Sequence, residues 1–257
     1  MKKIFAVFIT LALIISTVAG CGSIAANTVF SKDDLAGKTI GVQLGTTGDE
    51  VATEFEKQDS TIERYNNGAD AIQSLKQGKV DCVIIDNEPA KNFVAKNADL
   101  KILDDKFDAE EYAICLAKGN IELKDKINVA IATLKENGTL NNILNNYIGD
   151  DVGKTPYTSS ADVVRSNGTL KMATNAAFPP YEYIENENIV GVDPDLAQAI
   201  CDILGMELKI EDMEFDSIIT SVKSGKSDVG IAGMSVTEDR LENAEFTDPY
   251  TVLLPKS

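Results

Sequence analysis

Arg240 closes the run Gly233-Met-Ser-Val-Thr-Glu-Asp-Arg240, five residues after Ser235 and three after Thr237. A guanidinium makes two parallel, charge-assisted bonds with a carboxylate, and neighbouring hydroxyls can add to them. The alternative is a surface arginine paired with Glu238 or Asp239. Thr46 and Thr47 stand in Gly45-Thr-Thr-Gly48 ahead of a predicted helix. Free N–H groups and the helix dipole favour an anion there; the alternative is a plain threonine cap. Asp86 follows the largely apolar run 80–85, where a carboxylate either caps the next helix or holds a cation. Phe178 and Phe215 each follow a predicted strand; core packing is the usual fate of such rings. Taken together, these groups hold a carboxylate at one end, an ammonium at the other, and an aromatic slot between. That is what an α-amino acid requires. Each charge-assisted bond contributes about 1.5–3 kcal/mol. Three or four, less the cost of association, reach about micromolar affinity.

The elements that would position these groups follow one plan twice. Ser74-Leu-Lys-Gln-Gly-Lys-Val-Asp-Cys-Val-Ile84 recurs imperfectly as Ser221-Val-Lys-Ser-Gly-Lys-Ser-Asp-Val-Gly-Ile231. Each copy reads as a helix end, a glycine cap and a short buried strand, so Asp86 and Gly233 fall at matching strand ends. Ligands of open α/β sheets bind at such ends. Strands are expected at 39–42, 62–65, 80–85, 112–116, 170–174, 208–210 and 229–231. Helices alternate with them: one carries Val51 and Phe55, one Ala71, Ile72 and Leu75, and one starts at Pro89. Leu123, Ile127, Ile131 and Leu134 recur at helical spacing, as do Leu140, Ile143, Leu144 and Tyr147. Asp193-Pro194 reads as a cap and first residue of a helix with Leu196, Ile200, Ile203 and Leu204 inward. The alternation predicts an α/β protein with mixed sheets flanked by helices.

The first twenty residues are a predicted secretory leader, with Lys2 and Lys3 before an apolar run too short to span a membrane. The run Val18-Ala-Gly-Cys21 resembles the lipobox of bacterial lipoproteins, in which the cysteine carries diacylglycerol; the alternative is an ordinary leader with a stray cysteine. The formal charge of −17 repels nucleic acid and anionic lipid headgroups. With no histidine in the chain, histidine-ligated metals and Ser-His or Cys-His triads are excluded. No cofactor is expected. Cys82, Cys115 and Cys201 read as small buried hydrophobes, and their spacing matches no zinc motif.

The stretches Ala-Phe-Pro-Pro-Tyr-Glu-Tyr (177–183), Gly-Val-Asp-Pro-Asp-Leu-Ala (191–197), Ala-Gly-Met-Ser-Val-Thr-Glu-Asp-Arg (232–240) and Phe-Thr-Asp-Pro-Tyr (246–250) resemble the first lobe of bacterial polar amino-acid-binding proteins of ABC importers, extracellular solute-binding family 3. Lys38-Thr-Ile-Gly-Val-Gln-Leu-Gly-Thr-Thr-Gly48 and Asp81-Cys-Val-Ile-Ile-Asp86 resemble their second lobe. The resemblance implies a two-lobe periplasmic-binding-protein-like fold of type II that closes over its ligand. It implies Arg240, Ser235 and Thr47 on the α-carboxylate, with Thr46 beside them. It implies Asp86 and the Gly233 carbonyl on the ammonium, Phe178 and Phe215 flanking the side chain, and Asn175 and Gln43 where specificity is set. Relatives place the first lobe first; here the order is inverted, which implies a circular permutation. The expected divisions are a leader at 1–20, a lipidated Cys21 with a tether to 33, the second lobe at 34–111, a return strand and helices at 112–148, a linker at 149–167, the first lobe at 168–250 and a hinge remnant at 251–257. The implied partners are a free L-amino acid, an importer permease and the membrane through the lipid anchor; the chain would act as a monomer on the outer face of the cell membrane. Two alternatives stand beside this. One is a cyclic amino-acid dehydratase on the same fold, with Glu182 the nearest candidate for its general acid, although that side chain is expected to face solvent beside Tyr183. The other is a non-functional permuted remnant.

Overall fold

The computed structural model describes residues 28–105, 107 and 111–252. The leader, Cys21, most of the tether and residues 253–257 lie outside them.

The chain folds as two α/β lobes. The first is built from β1 (Thr39–Gln43), α1 (Thr47–Thr53), β2 (Thr61–Tyr65), α2 (Gly68–Lys76), β3 (Cys82–Val83) and α3 (Asn87–Lys96). Its sheet runs β2-β1-β3, all parallel. A mixed sheet was expected in each lobe. Here every connection is a helical crossover, which returns the chain in the same direction. The expected strand at 80–85 narrows to β3, although Asp81 N–H still donates to the Thr39 carbonyl (2.7 Å) and Ile84 N–H to that of Gly41 (3.1 Å). Helix α3 starts two residues before Pro89, placing the proline in its first turn where its missing N–H costs nothing. Ala90, Phe93 and Val94 are half-buried.

The chain then crosses through β4 (Glu111–Tyr112) and β5 (Cys115–Ala117) to α4 (Ile121–Glu136) and α5 (Thr139–Tyr147). It continues with β6 (Thr169–Thr174), β7 (Ala177–Phe178), β8 (Glu182–Glu185), β9 (Asn188–Val190), α6 (Val192–Leu204) and β10 (Glu207–Asp212). A 3-10 turn at Phe215–Ser217 leads into α7 (Ile218–Lys223), followed by β11 (Val229–Gly230), α8 (Glu238–Asn243), β12 (Ala244–Phe246) and β13 (Thr251–Val252). The second sheet runs β10-β6-β11-β5-β12. Its first three strands are parallel, and β5 is antiparallel to both neighbours. The single strand expected at 112–116 is divided because the chain changes partners. β4 pairs with β13. Between the two strands, Ala113 N–H donates to the Met234 carbonyl and Ile114 N–H to Thr247 Oγ1.

The main core joins the apolar face of α4 (Ile127, Ile131, Leu134) to Leu196 and Ile200 of α6 and to Leu170 and Met172 of β6. Helices α4 and α5 are thus built into the second lobe. Ile203 was expected inward and is 43% exposed, because α6 buries the stripe through Leu196 and Ile200. The segment 149–167 has no helix or strand, yet it is tied to α6. The Tyr157 hydroxyl donates to Asp202 (2.8 Å), Arg165 pairs with Asp202, and Asn167 Nδ2 donates to the Leu204 carbonyl (2.8 Å).

The repeated eleven residues adopt the same local structure twice. Ser74 and Ser221 are both buried, and Gly78 and Gly225 have φ of +67° and +75°. Lys79 N–H donates to the Ser74 carbonyl (3.0 Å) and Lys226 N–H to that of Ser221 (3.1 Å). Asp81 Oδ2 accepts from Thr39 N–H, and Asp228 Oδ2 from Lys171 N–H, each at 2.8 Å. Each aspartate therefore clamps the neighbouring parallel strand, β1 in one lobe and β6 in the other.

Candidate functional site

One cleft between the lobes is lined by Gln43, Thr46, Thr47 and Asp86 from the first lobe. Asn175, Phe178, Phe215, Ala232, Gly233, Ser235 and Arg240 face them from the second. Every lining residue except Ala232 was singled out in the sequence. They lie at strand ends, in the loops that follow, or in the first turn of a helix, so the two sheets deliver them to one place.

Arg240 is not the surface arginine of the alternative reading. It is 7% exposed. Its Nη1 donates to the Ser235 carbonyl (2.7 Å) and its Nη2 to the Gly45 carbonyl of the opposite lobe (2.9 Å). Its guanidinium lies 5.4 Å from the Phe215 ring centroid, within cation–π range. Helix α8 holds Arg240 in place, and Thr237 Oγ1 caps that helix by accepting Arg240 N–H (3.4 Å).

Thr46 is the cap of α1: its Oγ1 accepts from Asp49 N–H (3.3 Å) and donates to the Gln43 carbonyl (2.8 Å). Thr47 begins the helix and lines the cleft. Asp86 holds the cap position of α3, but its side chain makes no capping bond. It accepts instead from the Tyr112 hydroxyl. Phe178 and Phe215 are buried and both line the cleft from the same lobe. Gly233 has φ of +49°, and a Cβ there would meet Phe178 Cε1 at 2.8 Å. Close approach of the ring therefore requires glycine at this position.

The cleft itself leaves a cavity of about 10 Å³, room for about one water. Among the described residues, side-chain bonds join the lobes across it. They include Arg240 to Gly45, Tyr112 to Asp86, Gln43 Nε2 to Asn175 Oδ1 (2.9 Å) and Asn66 Nδ2 to Glu214 Oε1 (3.3 Å). Anything larger than water enters only if the lobes part.

Behind the Phe178 wall sits a carboxyl pair that the sequence reading did not foresee. Asp193 was expected to cap α6; the helix begins at Val192, and Asp193 is fully buried within its first turn. Its Oδ2 accepts from Gly233 N–H (2.8 Å) and from the Tyr250 hydroxyl (3.1 Å). These bonds turn the side chain inward, away from the helix end. Glu182, expected to face solvent, is also fully buried, because β8 turns it inward beneath α6. Burial first, then the adjacent Asp193 charge, raises the Glu182 carboxyl well above the ordinary range, and burial pushes Asp193 up to about 6. Asp193 gave no signal beyond that of an ordinary helix cap, since the groups that turn it inward are the Gly233 N–H and the Tyr250 hydroxyl. Gly45 and Ala232 offered none, since their contribution is backbone or bare surface.

The described cysteines are free, Cys115 and Cys201 buried and Cys82 half-buried. Burial pushes all three thiols up to about 12, far from nucleophilic range. Among the described residues, no cluster of His, Cys, Asp and Glu could hold a metal, and no helix is long and apolar enough to cross a membrane. A larger cavity of about 470 Å³ lies in the first lobe. Its walls are mostly aliphatic, including Ile72, Leu75, Val80 and Val94, with Lys32, Lys76, Lys101, Asp81, Asp99 and Asp105 also on its lining.

Residues 170–256 match the sequence model of a family described as bacterial extracellular solute-binding proteins, family 3. The arginine-binding extracellular protein ArtP of Bacillus subtilis is 42% identical over 81 residues, 32% of this chain and 32% of its own length. The L-cystine-binding protein TcyJ of Escherichia coli is 33% identical over 128 residues, 49% of this chain and 48% of its own. A truncated, arginine-bound ArgBP from T. maritima shares 48% identity over 30% of this chain and 37% of that one, with a TM-score of 0.29. The chain thus spans about a third to a half of the length of the curated relatives it matches. It is related to family 3 solute-binding proteins, and its two-lobe α/β architecture agrees with that relationship.

Proposed function

We propose that this chain captures a free L-α-amino acid between its lobes and hands it to the permease of an ABC importer. The observation that carries the reading is the placement of Arg240 and Asp86, opposite charges from opposite lobes, on one aromatic-walled cleft. Arg240 takes the α-carboxylate, with Ser235, Thr46 and Thr47 beside it. Asp86 and the Gly233 carbonyl take the ammonium, and Phe178 and Phe215 flank the side chain. When the lobes part, Arg240 gives up the Gly45 carbonyl. A ligand carboxylate replaces that neutral acceptor with a charged one, and charge-assisted bonds are roughly twice as strong. Relatives named for arginine and cystine binding support an amino-acid ligand.

We read the chain order as a circular permutation, with the lobe carrying Arg240 placed last. The pairing of β13 with β4 supports this, because it lays the last described strand beside the crossover between lobes. Cys21 is proposed as a lipid anchor that holds a monomer at the outer membrane face. The dehydratase alternative loses its candidate acid, since Glu182 is fully buried beneath α6 and does not line the cleft.

The test is a thermal-shift screen of the chain from Gly22 onward against each standard amino acid. Ligand at about 100 times its dissociation constant stabilises by about 2.7 kcal/mol. At least one amino acid is expected to raise the melting temperature by several degrees. A flat profile across the set overturns the proposal.

A further inference from the structure

We infer that residues 253–257, Leu-Leu-Pro-Lys-Ser, dock along the open edge of β3 and seat their leucines in the first-lobe cavity, adding a strand to that sheet. This placement does not depend on which ligand the cleft takes.

The internal repeat exposes the open edge. Its two copies set Cys82 and Val83 of β3 against Val229 and Gly230 of β11. β11 lies inside its sheet, with β6 on one side and antiparallel β5 on the other. Val229 and Gly230 are accordingly buried. β3 has β1 on one side and, among the described residues, no strand on the other. Cys82 and Val83 are only half-buried. An open edge presents backbone donors and acceptors to a further strand. The cavity of about 470 Å³ lies against it, walled by residues 81–85, by Val94, and by 99–103 and Phe107.

The chain beyond β13 heads into this space. Thr251 pairs with Tyr112 and Val252 with Glu111, antiparallel. β4 runs from the side of Phe107 toward the second lobe, so β13 runs the opposite way, toward Phe107 and the first lobe. The Tyr112 hydroxyl bonds Asp86, three residues past the end of β3. Residues following Val252 thus enter at the C-terminal end of β3 and run antiparallel to it, as β5 does along β11. Five extended residues span about 16 Å, matching the five residues 81–85. Leu253 and Leu254 bring apolar side chains to a mostly aliphatic wall. Pro255 gives no N–H to a ladder, which is tolerated toward a strand end.

The test uses the chain from Gly22 onward. Cys82 lines the cavity and is half-buried, whereas Cys115 and Cys201 are buried. Leu253→Cys and Leu254→Cys are each oxidised mildly, and the disulfides are mapped by peptide mass. A disulfide needs Cα atoms within about 7 Å. At least one of the two variants is expected to bond Cys82 within a single chain. Deleting residues 253–257 is expected to speed maleimide labelling of Cys82 at least about tenfold, the fold-change that follows from losing one buried leucine. Labelling of Cys201 should stay as slow as in the full chain. If all three thiols label alike, the deletion has unfolded the chain and the disulfide result decides. Failure of both variants to trap Cys82 overturns the inference, as does unchanged Cys82 labelling in a folded deletion variant. A Cys82 disulfide that joins two chains gives the edge to a second copy and overturns it as well.

Discussion

Arg240 is the residue on which the cleft turns. It is buried, lies against the Phe215 ring, and already donates to one carbonyl in each lobe. Its removal deletes both the carboxylate receptor and one of the bonds that hold the lobes together. Arg240→Ala is expected to weaken amino-acid binding by about 2–5 kcal/mol, because a charged partner would be left buried without its counterpart. Calorimetry that finds unchanged affinity removes Arg240 from the site. Asp86 has a different signature. Asp86→Asn keeps an acceptor for the Tyr112 hydroxyl but removes the charge. It should therefore weaken an α-amino acid more than the same compound lacking its amino group. Equal loss for the two compounds contradicts an ammonium role.

At the scale of elements, the two helix–glycine–strand units make a paired prediction. Gly78 and Gly225 end α2 and α7 with matching positive φ, which costs an L-residue about 1–2 kcal/mol. Gly78→Ala and Gly225→Ala should each lower stability by about that amount in denaturant unfolding, and by similar amounts. A large cost at one and none at the other would mean that the units are not equivalent. This much of the fold was legible in the sequence, because a glycine cap and a buried strand leave local signals. Arg240, Asp86, Phe178 and Phe215 stood out because charged and aromatic side chains at strand ends are few, whereas Gln43 and Asn175 came only from the resemblance. The division of 112–116 into β4 and β5 was not, since it depends on partners more than a hundred residues away, Thr247 among them. Nor was the inward turn of Glu182 and Asp193. Their burial is set by the packing of α6 over β8 and by Tyr250 from the end of the described chain. Sequence patterns report the polarity of such residues and not the neighbours that neutralise it.

At the scale of the whole molecule, that carboxyl pair gives the fold a pH dependence. Asp193 is pushed up from 3.8 to about 6, and Glu182 is raised well above its ordinary value. Asp86 and Asp212 add to the negative surroundings of Glu182. A carboxyl group with a raised pKa holds its proton longer in the folded chain than in the unfolded one. By linkage, its contribution favours the folded state at low pH and is lost as pH rises from about 4 through about 6. Unfolding free energy should therefore fall across that interval. Glu182→Gln keeps the shape of the pair without the second charge, and it should flatten the fall. A variant with the wild-type slope would mean that Glu182 does not contribute to this pH dependence. The same packing that buries these acids also fixes Gly233, whose N–H is held by Asp193. The core of the second lobe and the wall of the cleft are in this sense one structure.

The central claim is that a zwitterion is held between Arg240 on one lobe and Asp86 on the other. The most direct measurement is a crystal structure of the chain grown with whichever amino acid stabilises it most in the thermal-shift screen. The expected result is a ligand carboxylate on the Arg240 guanidinium in place of the Gly45 carbonyl, with the ammonium on Asp86 and the ligand flanked by Phe178 and Phe215. A ligand bound elsewhere, with Arg240 still on the Gly45 carbonyl, would contradict the account.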